Sequence, residues 1–142
     1  MQNELLAAAR NLIENEGYAC VVIKDGKIAE KIIGRGIKPV MQLFEANALE
    51  GAAVADKVIG KASAVILSMG KVSEVYGAVM SEDAAAWFAD AGIPFEAGTV
   101  TKQIMNRTLT GMCPMEMTVK ELSDPEEMVR ALKAKIAELS AE

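Results

Sequence analysis

Asn106 to Glu116 holds the densest set of groups able to do chemistry: Asn106, Arg107, Thr108, Thr110, Gly111, Cys113 and Glu116. A guanidinium beside hydroxyls and a glycine amide suits a phosphate or carboxylate. The same residues also suit a structured loop whose threonines satisfy nearby backbone groups. Cys113 precedes Pro114, a residue that tolerates the first helical position. A helix starting there would favour the thiolate form of Cys113. Two readings follow: a nucleophilic or redox-sensing thiol working with Asp56 or Glu116, or an inert thiol packed beside Met112 and Met115.

The chain has no histidine. That removes Ser–His and Cys–His dyads and every His-ligated metal site. Cys20 and Cys113 lie far apart and form neither a disulfide framework nor a zinc-spacing pattern. No metal and no cofactor is expected. The formal charge of −5 argues against a nucleic-acid backbone as partner but leaves room for a local basic pocket. No apolar run is long enough to span a bilayer, and Met1 to Glu4 lacks a basic leader segment, so a cytoplasmic location is expected.

These groups must be held by a fold, and 142 residues, half of them apolar, suit a single domain over 1–142. Leu5, Leu6, Ala9, Leu12 and Ile13 recur at helical spacing, and Gly17 ends that helix. Tyr18 to Ile23 and Lys27 to Ile33 flank Asp25-Gly26, the pattern of a β-hairpin. A helical turn follows Pro39. The small residues between Glu50 and Ala62 predict a helix, and the apolar run Ser63 to Met69 predicts a buried strand. Val75 to Met80 reads as a strand. Ser81 reads as an N-cap with Glu82 and Asp83 in the first turn of a helix that stops at Gly92. Ile93 to Phe95 reads as a short strand, and Thr99 to Gly111 as a polar stretch. Asp124-Pro125-Glu126-Glu127 opens a last helix whose stripe is Met128, Leu132, Ile136 and Leu139. Helices interleaved with strands imply a three-layer α/β/α domain with a mixed central sheet.

The hairpin around Lys24-Asp25-Gly26-Lys27, the stretch Val54-Ala55-Asp56-Lys57, and Val79-Met80-Ser81-Glu82-Asp83-Ala84 together resemble the cytidine-deaminase-like fold. The whole chain, through Ala55-Asp56-Lys57-Val58 and Asn106 to Glu116, resembles an uncharacterised prokaryotic family with that fold and no zinc site. On this resemblance the family's zinc ligands fall on Val54, Ser81 and Ala84, and its general acid/base glutamate falls on Asp56. Valine and alanine cannot bind zinc, and serine is a poor ligand for it. Hydrolytic deamination is therefore not expected, because it relies on a zinc-activated water. The resemblance also implies that Asp56 and Lys57 sit at a ligand-facing helix start and that Gly34-Arg35-Gly36 borders the pocket.

The expected function is binding of a small molecule, nucleotide-like or otherwise anionic, in a zinc-free deaminase-like pocket. The expected contacts are Lys57, Arg35, Ser81, Asn106, Arg107, Thr108, Thr110 and Glu116. Two alternatives stand beside it: a metal-independent enzyme using Cys113 with Asp56, and a structural or oligomerisation module. The Ala/Gly-rich faces suit close packing between copies, so a homo-oligomer is expected.

Overall fold

The computed structural model describes residues 2–33, 37–104 and 113–140. Helix α1 (Gln2–Asn15) leads into strands β1 (Cys20–Lys24) and β2 (Lys27–Ile32). Asp25 and Gly26 both have positive φ, 55° and 74°. That is the twist a two-residue hairpin needs, so the Asp-Gly pair sets the turn. Helix α2 (Lys38–Glu45) carries Pro39 in its first turn, and β3 (Ala53–Ile59), α3 (Lys61–Met69), β4 (Glu74–Ser81), α4 (Glu82–Ala91) and β5 (Phe95–Thr101) then alternate. Helices α5 (Pro114–Val119) and α6 (Pro125–Ser140) close the chain.

The five strands form one open mixed sheet in the order β2-β1-β3-β4-β5. β1 runs antiparallel to β2 and β3, while β3, β4 and β5 are mutually parallel. Alternate residues feed two cores. Val21, Ile23, Ala53, Ala55 and Tyr76 pack with Ala9 and Ile13 of α1. Cys20, Val22, Val54 and Val75 pack on the other face with residues of α2 to α6. The Tyr76 hydroxyl donates to Glu14 Oε1 at 2.7 Å, and the Arg10 guanidinium lies 4.4 Å from its ring centre, which fastens α1 to β4.

Two expectations are corrected between residues 50 and 69. The predicted helix over 50–62 is in fact β3, and the predicted strand over 63–69 is helix α3. Ala53, Val54 and Ala55 are small or β-branched and buried on both faces of a central strand, so they show no alternation. Ala62 to Leu67 are all buried because α3 lies under the sheet with α2, α4, α5 and α6 around it. A short apolar run does not distinguish these two cases by periodicity. Gly60 therefore starts a helix. The short strand expected over Ile93 to Phe95 is also corrected: β5 begins only at Phe95, leaves Ile93 and Pro94 before it, and takes in Thr99 to Thr101 of the expected polar stretch.

The remaining caps agree with the residue pattern. Ser81 Oγ accepts from Ala84 N–H at 3.1 Å, and Gly92 ends α4 at φ 72°. Asp124 Oδ2 accepts from Glu127 N–H at 3.0 Å at the start of α6. Met128 and Leu132 are fully buried, Ile136 is partly buried, and Leu139 is exposed.

The burial of α3 has a measurable consequence. Ile66→Ala should cost about 3 kcal/mol in urea denaturation, in the range for truncating a buried aliphatic side chain. Val58→Ala, at an exposed position of β3, should change stability by about 0.5 kcal/mol or less. Equal losses at the two positions would contradict this assignment of the core.

Candidate functional site

The parallel strands β3, β4 and β5 deliver their carboxyl ends to one side of the sheet. Open α/β sheets place ligand sites outside the carboxyl ends of their strands. Here that place holds a cavity of about 40 Å³ lined by Lys61, Ser81, Asp83, Lys102, Gln103, Ile104, Glu116 and Lys120. Lys61 follows β3, Ser81 ends β4 and Lys102 follows β5. Glu116 and Lys120 come from the α5 region, which packs against α3 and α6.

Glu116 is fixed by the start of α3. Its Oε1 accepts from Lys61 N–H at 2.7 Å and its Oε2 from Ala62 N–H at 3.0 Å. A helix leaves its first N–H groups without intrahelical partners. Gly60, the N-cap, has no side chain to offer, so a carboxylate 54 to 55 residues away does the capping. A Cβ at Gly60 would collide with the Glu116 carboxylate. Glycine is needed here for space, since its φ of −100° is open to any residue. Burial lifts the Glu116 carboxyl above the usual range, against the pull of the two N–H donors.

The Lys61 ammonium donates to Leu122 O at 3.1 Å. Among the described residues Lys102 and Lys120 have no carboxylate partner. Two exposed ammonium groups thus stand at the rim beside two helix starts, α3 and α4. The cavity has room for only a few water-sized groups. No nucleoside fits inside it.

Of the residues singled out from the sequence, Ser81 and Glu116 line this cavity together. Cys113 is half-buried at the N-cap of α5, where its side chain makes no capping bond; it does not line the cavity. Its N–H donates to Ile104 O at 2.9 Å. That bond ties together the two chain ends from which residues 105–112 depart. Asn106, Arg107, Thr108, Thr110 and Arg35 lie outside the described residues. Lys57 is exposed on β3, and Asp56 lies within that strand, so neither sits at a helix start as the resemblance implied. Lys61, Asp83, Lys102, Gln103 and Lys120 were not singled out. The Gly60-Lys61 step could have pointed to Lys61, once Gly60 is read as a helix start.

Asp56 is a separate polar feature. It is buried, with Cα partners Cys20 on β1 and Gly77 on β4. Its Oδ1 accepts from Val58 N–H at a long 3.4 Å. Burial pushes its carboxyl up from 3.8 to about 7; burial, and after it the Asp56 charge, raises the Cys20 thiol. Among the described residues no group of three or more His, Cys, Asp or Glu side chains could hold a metal ion. A wider groove of about 360 Å³ lies against Ser68, Met69, Trp87, Asp90, Ala91 and Pro125. It is open and mostly apolar, with one carboxylate.

Sheet order and parallel strand ends define an open mixed α/β domain, and the cavity at those ends carries three lysines and two carboxylates, Asp83 and Glu116. Within that class the chain belongs to the family described as TM1506, a domain of unknown function (DUF1893), whose model matches residues 8–136. A crystal structure of a DUF1893 family protein (TM1506) from Thermotoga maritima is similar, with a TM-score of 0.86 and 29% sequence identity. That similarity covers 95% of this chain and 92% of the other. No curated protein matches the sequence.

Two outcomes follow from the buried carboxylates. The Asp56 pKa is raised in the fold, so its contribution is fully present below about pH 4 and is lost as pH climbs toward 7. Asp56→Asn should therefore be more stable than the parent at pH 8, on the order of 3 kcal/mol, with the difference shrinking toward pH 5. Urea denaturation at pH 5, 6.5 and 8 reads this directly. Glu116→Ala leaves two buried N–H groups uncapped and should cost about 2 kcal/mol in thermal denaturation.

Proposed function

We propose that this domain binds the anionic head group of a small molecule at the carboxyl ends of β3, β4 and β5. The observation that carries this reading is the pair Lys102 and Lys120, without carboxylate partners among the described residues, at the rim of a cavity beside the starts of α3 and α4. Ammonium groups favour a phosphate or carboxylate; the start of α3 is already taken by the Glu116 carboxylate and Ala84 N–H of α4 by Ser81, so the anion is held from the lysine side. The Ser81 hydroxyl, which accepts from Ala84 N–H, lines the same cavity. The body of the ligand would lie outside the cavity, toward the chain ends at Ile104 and Cys113. Arg107, with Asn106, Thr108 and Thr110, belongs to the segment between those ends and supplies further anion-binding chemistry.

A hairpin followed by three parallel strands supports the deaminase-like reading of the fold. The ligand-binding reading is preferred to hydrolytic deamination because the chain has no histidine and only two cysteines, so it lacks the residues that hold the deaminase zinc.

Thermal-shift titration with inorganic phosphate, a nucleoside monophosphate and the matching uncharged nucleoside tests this. Stabilisation should grow as RT ln(1 + [L]/Kd) for the two anions and weaken with added salt. The double variant Lys102→Ala, Lys120→Ala should lose it while keeping its own melting temperature near the parent's. Stabilisation by the uncharged nucleoside equal to that by the monophosphate would refute an anion site.

A further inference from the structure

The groove against Ser68, Met69, Trp87, Asp90, Ala91 and Pro125 lies where two helices end. Ser68 and Met69 close α3, and Asp90 and Ala91 close α4. The groove shares no lining residue with the cavity at the strand carboxyl ends. A helix carries roughly half a negative charge at its carboxyl end, where a cation is favoured. Neither helix has a basic residue in its last turn. Asp90 adds a full negative charge there, at the end of α4 where an acid works against the helix. Among the described residues no ammonium or guanidinium pairs with it. Lys71, the base nearest these helix ends in sequence, lies two residues past Met69 and does not line the groove.

The rest of the lining is apolar or already satisfied. Met69, Ala91, Pro125 and the half-buried Trp87 supply the apolar wall. The Trp87 indole N–H donates to Ser68 Oγ at 2.8 Å, and the Ser68 hydroxyl donates in turn to Val65 O at 2.9 Å. That chain of bonds holds the indole in place and uses up both polar groups. Asp90 is thus the one side chain of the lining with a charge left to neutralise. An indole is also the best aromatic platform for a cation.

We infer that this groove is a second ligand site, taking a small molecule that ends in a planar organic cation on an apolar stem, of the alkylguanidinium class. The guanidinium pairs with Asp90, and the stem lies along Met69, Trp87 and Pro125. A guanidinium suits the site better than an ammonium: it is weakly hydrated, offers a carboxylate two parallel donors and stacks on aromatic rings. The volume of about 360 Å³ stands at the lower end of the range for small-molecule sites. The lining falls well short of the roughly 20 residues that one side of a stable protein interface uses, so the occupant is a free small molecule and not the arginine of a partner surface. The formal charge of −5 on the whole chain draws a cation in.

The test is an NMR titration of the full chain with butylguanidinium, butylammonium and the neutral isostere butylurea, read at the Trp87 indole N–H resonance. Butylguanidinium should shift that resonance saturably, with a Kd on the order of 1 mM for so small a ligand. Butylammonium should bind more weakly, and butylurea should give no saturable shift. Asp90→Asn should weaken butylguanidinium by about tenfold, the loss expected for one charge-assisted pair. Asp90 is exposed and opposes the dipole of its own helix, so the variant should fold at least as well as the parent. The double variant Lys102→Ala, Lys120→Ala should leave this binding unchanged, which separates it from the anion site. Butylurea binding as tightly as butylguanidinium, or an unchanged affinity in Asp90→Asn, would overturn the proposal. So would a short arginine-containing peptide that binds more than tenfold tighter than butylguanidinium, since that result assigns the groove to a protein partner.

Discussion

Helix α3 is buried from Ala62 to Leu67 beneath the sheet. Its orphan N–H groups must be met by protein, and the residue before it, Gly60, has no side chain with which to meet them. The Glu116 carboxylate does so from the far end of the chain. This one contact joins the middle of the sheet to α5, and α5 in turn packs on α6. It also sets the candidate site, because the carboxylate that caps α3 is one wall of the cavity. Structure and site share a side chain here, so the cavity cannot be reshaped at Glu116 without loosening the helix behind it.

Where a segment is amphipathic, the residues show its structure plainly. The hairpin at Asp25-Gly26, helix α4 between Ser81 and Gly92, and helix α6 after Asp124 all carry local chemistry that has one good solution. Between Ala53 and Met69 that locality fails. β3 is buried on both faces and α3 is buried all round, so neither shows its period. Composition misleads there too: the small residues of β3 suit a close-packed helix, and the Val-Ile-Leu run of α3 suits a strand. The environment that erases the pattern is tertiary and lies outside any window of the chain.

The site was legible in the same uneven way. Ser81 and Glu116 stand out by type and position, and they meet at the cavity. The lysines do not stand out, because a lysine after a strand is ordinary until three strands bring three such positions together. Asp56 stands out only through the family resemblance, which implies a helix start; it is a buried strand residue whose carboxyl is pushed up to about 7 by burial.

Trp87 is the only tryptophan in the chain. Its indole N–H donates to Ser68 Oγ at 2.8 Å, across the contact between α4 and α3. Its emission is therefore a built-in reporter of one layer of the molecule. Separation of α4 from α3 would break that bond and expose a half-buried ring to water, with a shift to longer wavelength. Detachment of α1 on the opposite face would leave the indole undisturbed and fall instead to Tyr76, whose hydroxyl is held by Glu14. Trp87 on one face, and Tyr76 and Tyr18 in the cluster with α1 on the other, thus divide the optical signal of unfolding between the two faces of the sheet.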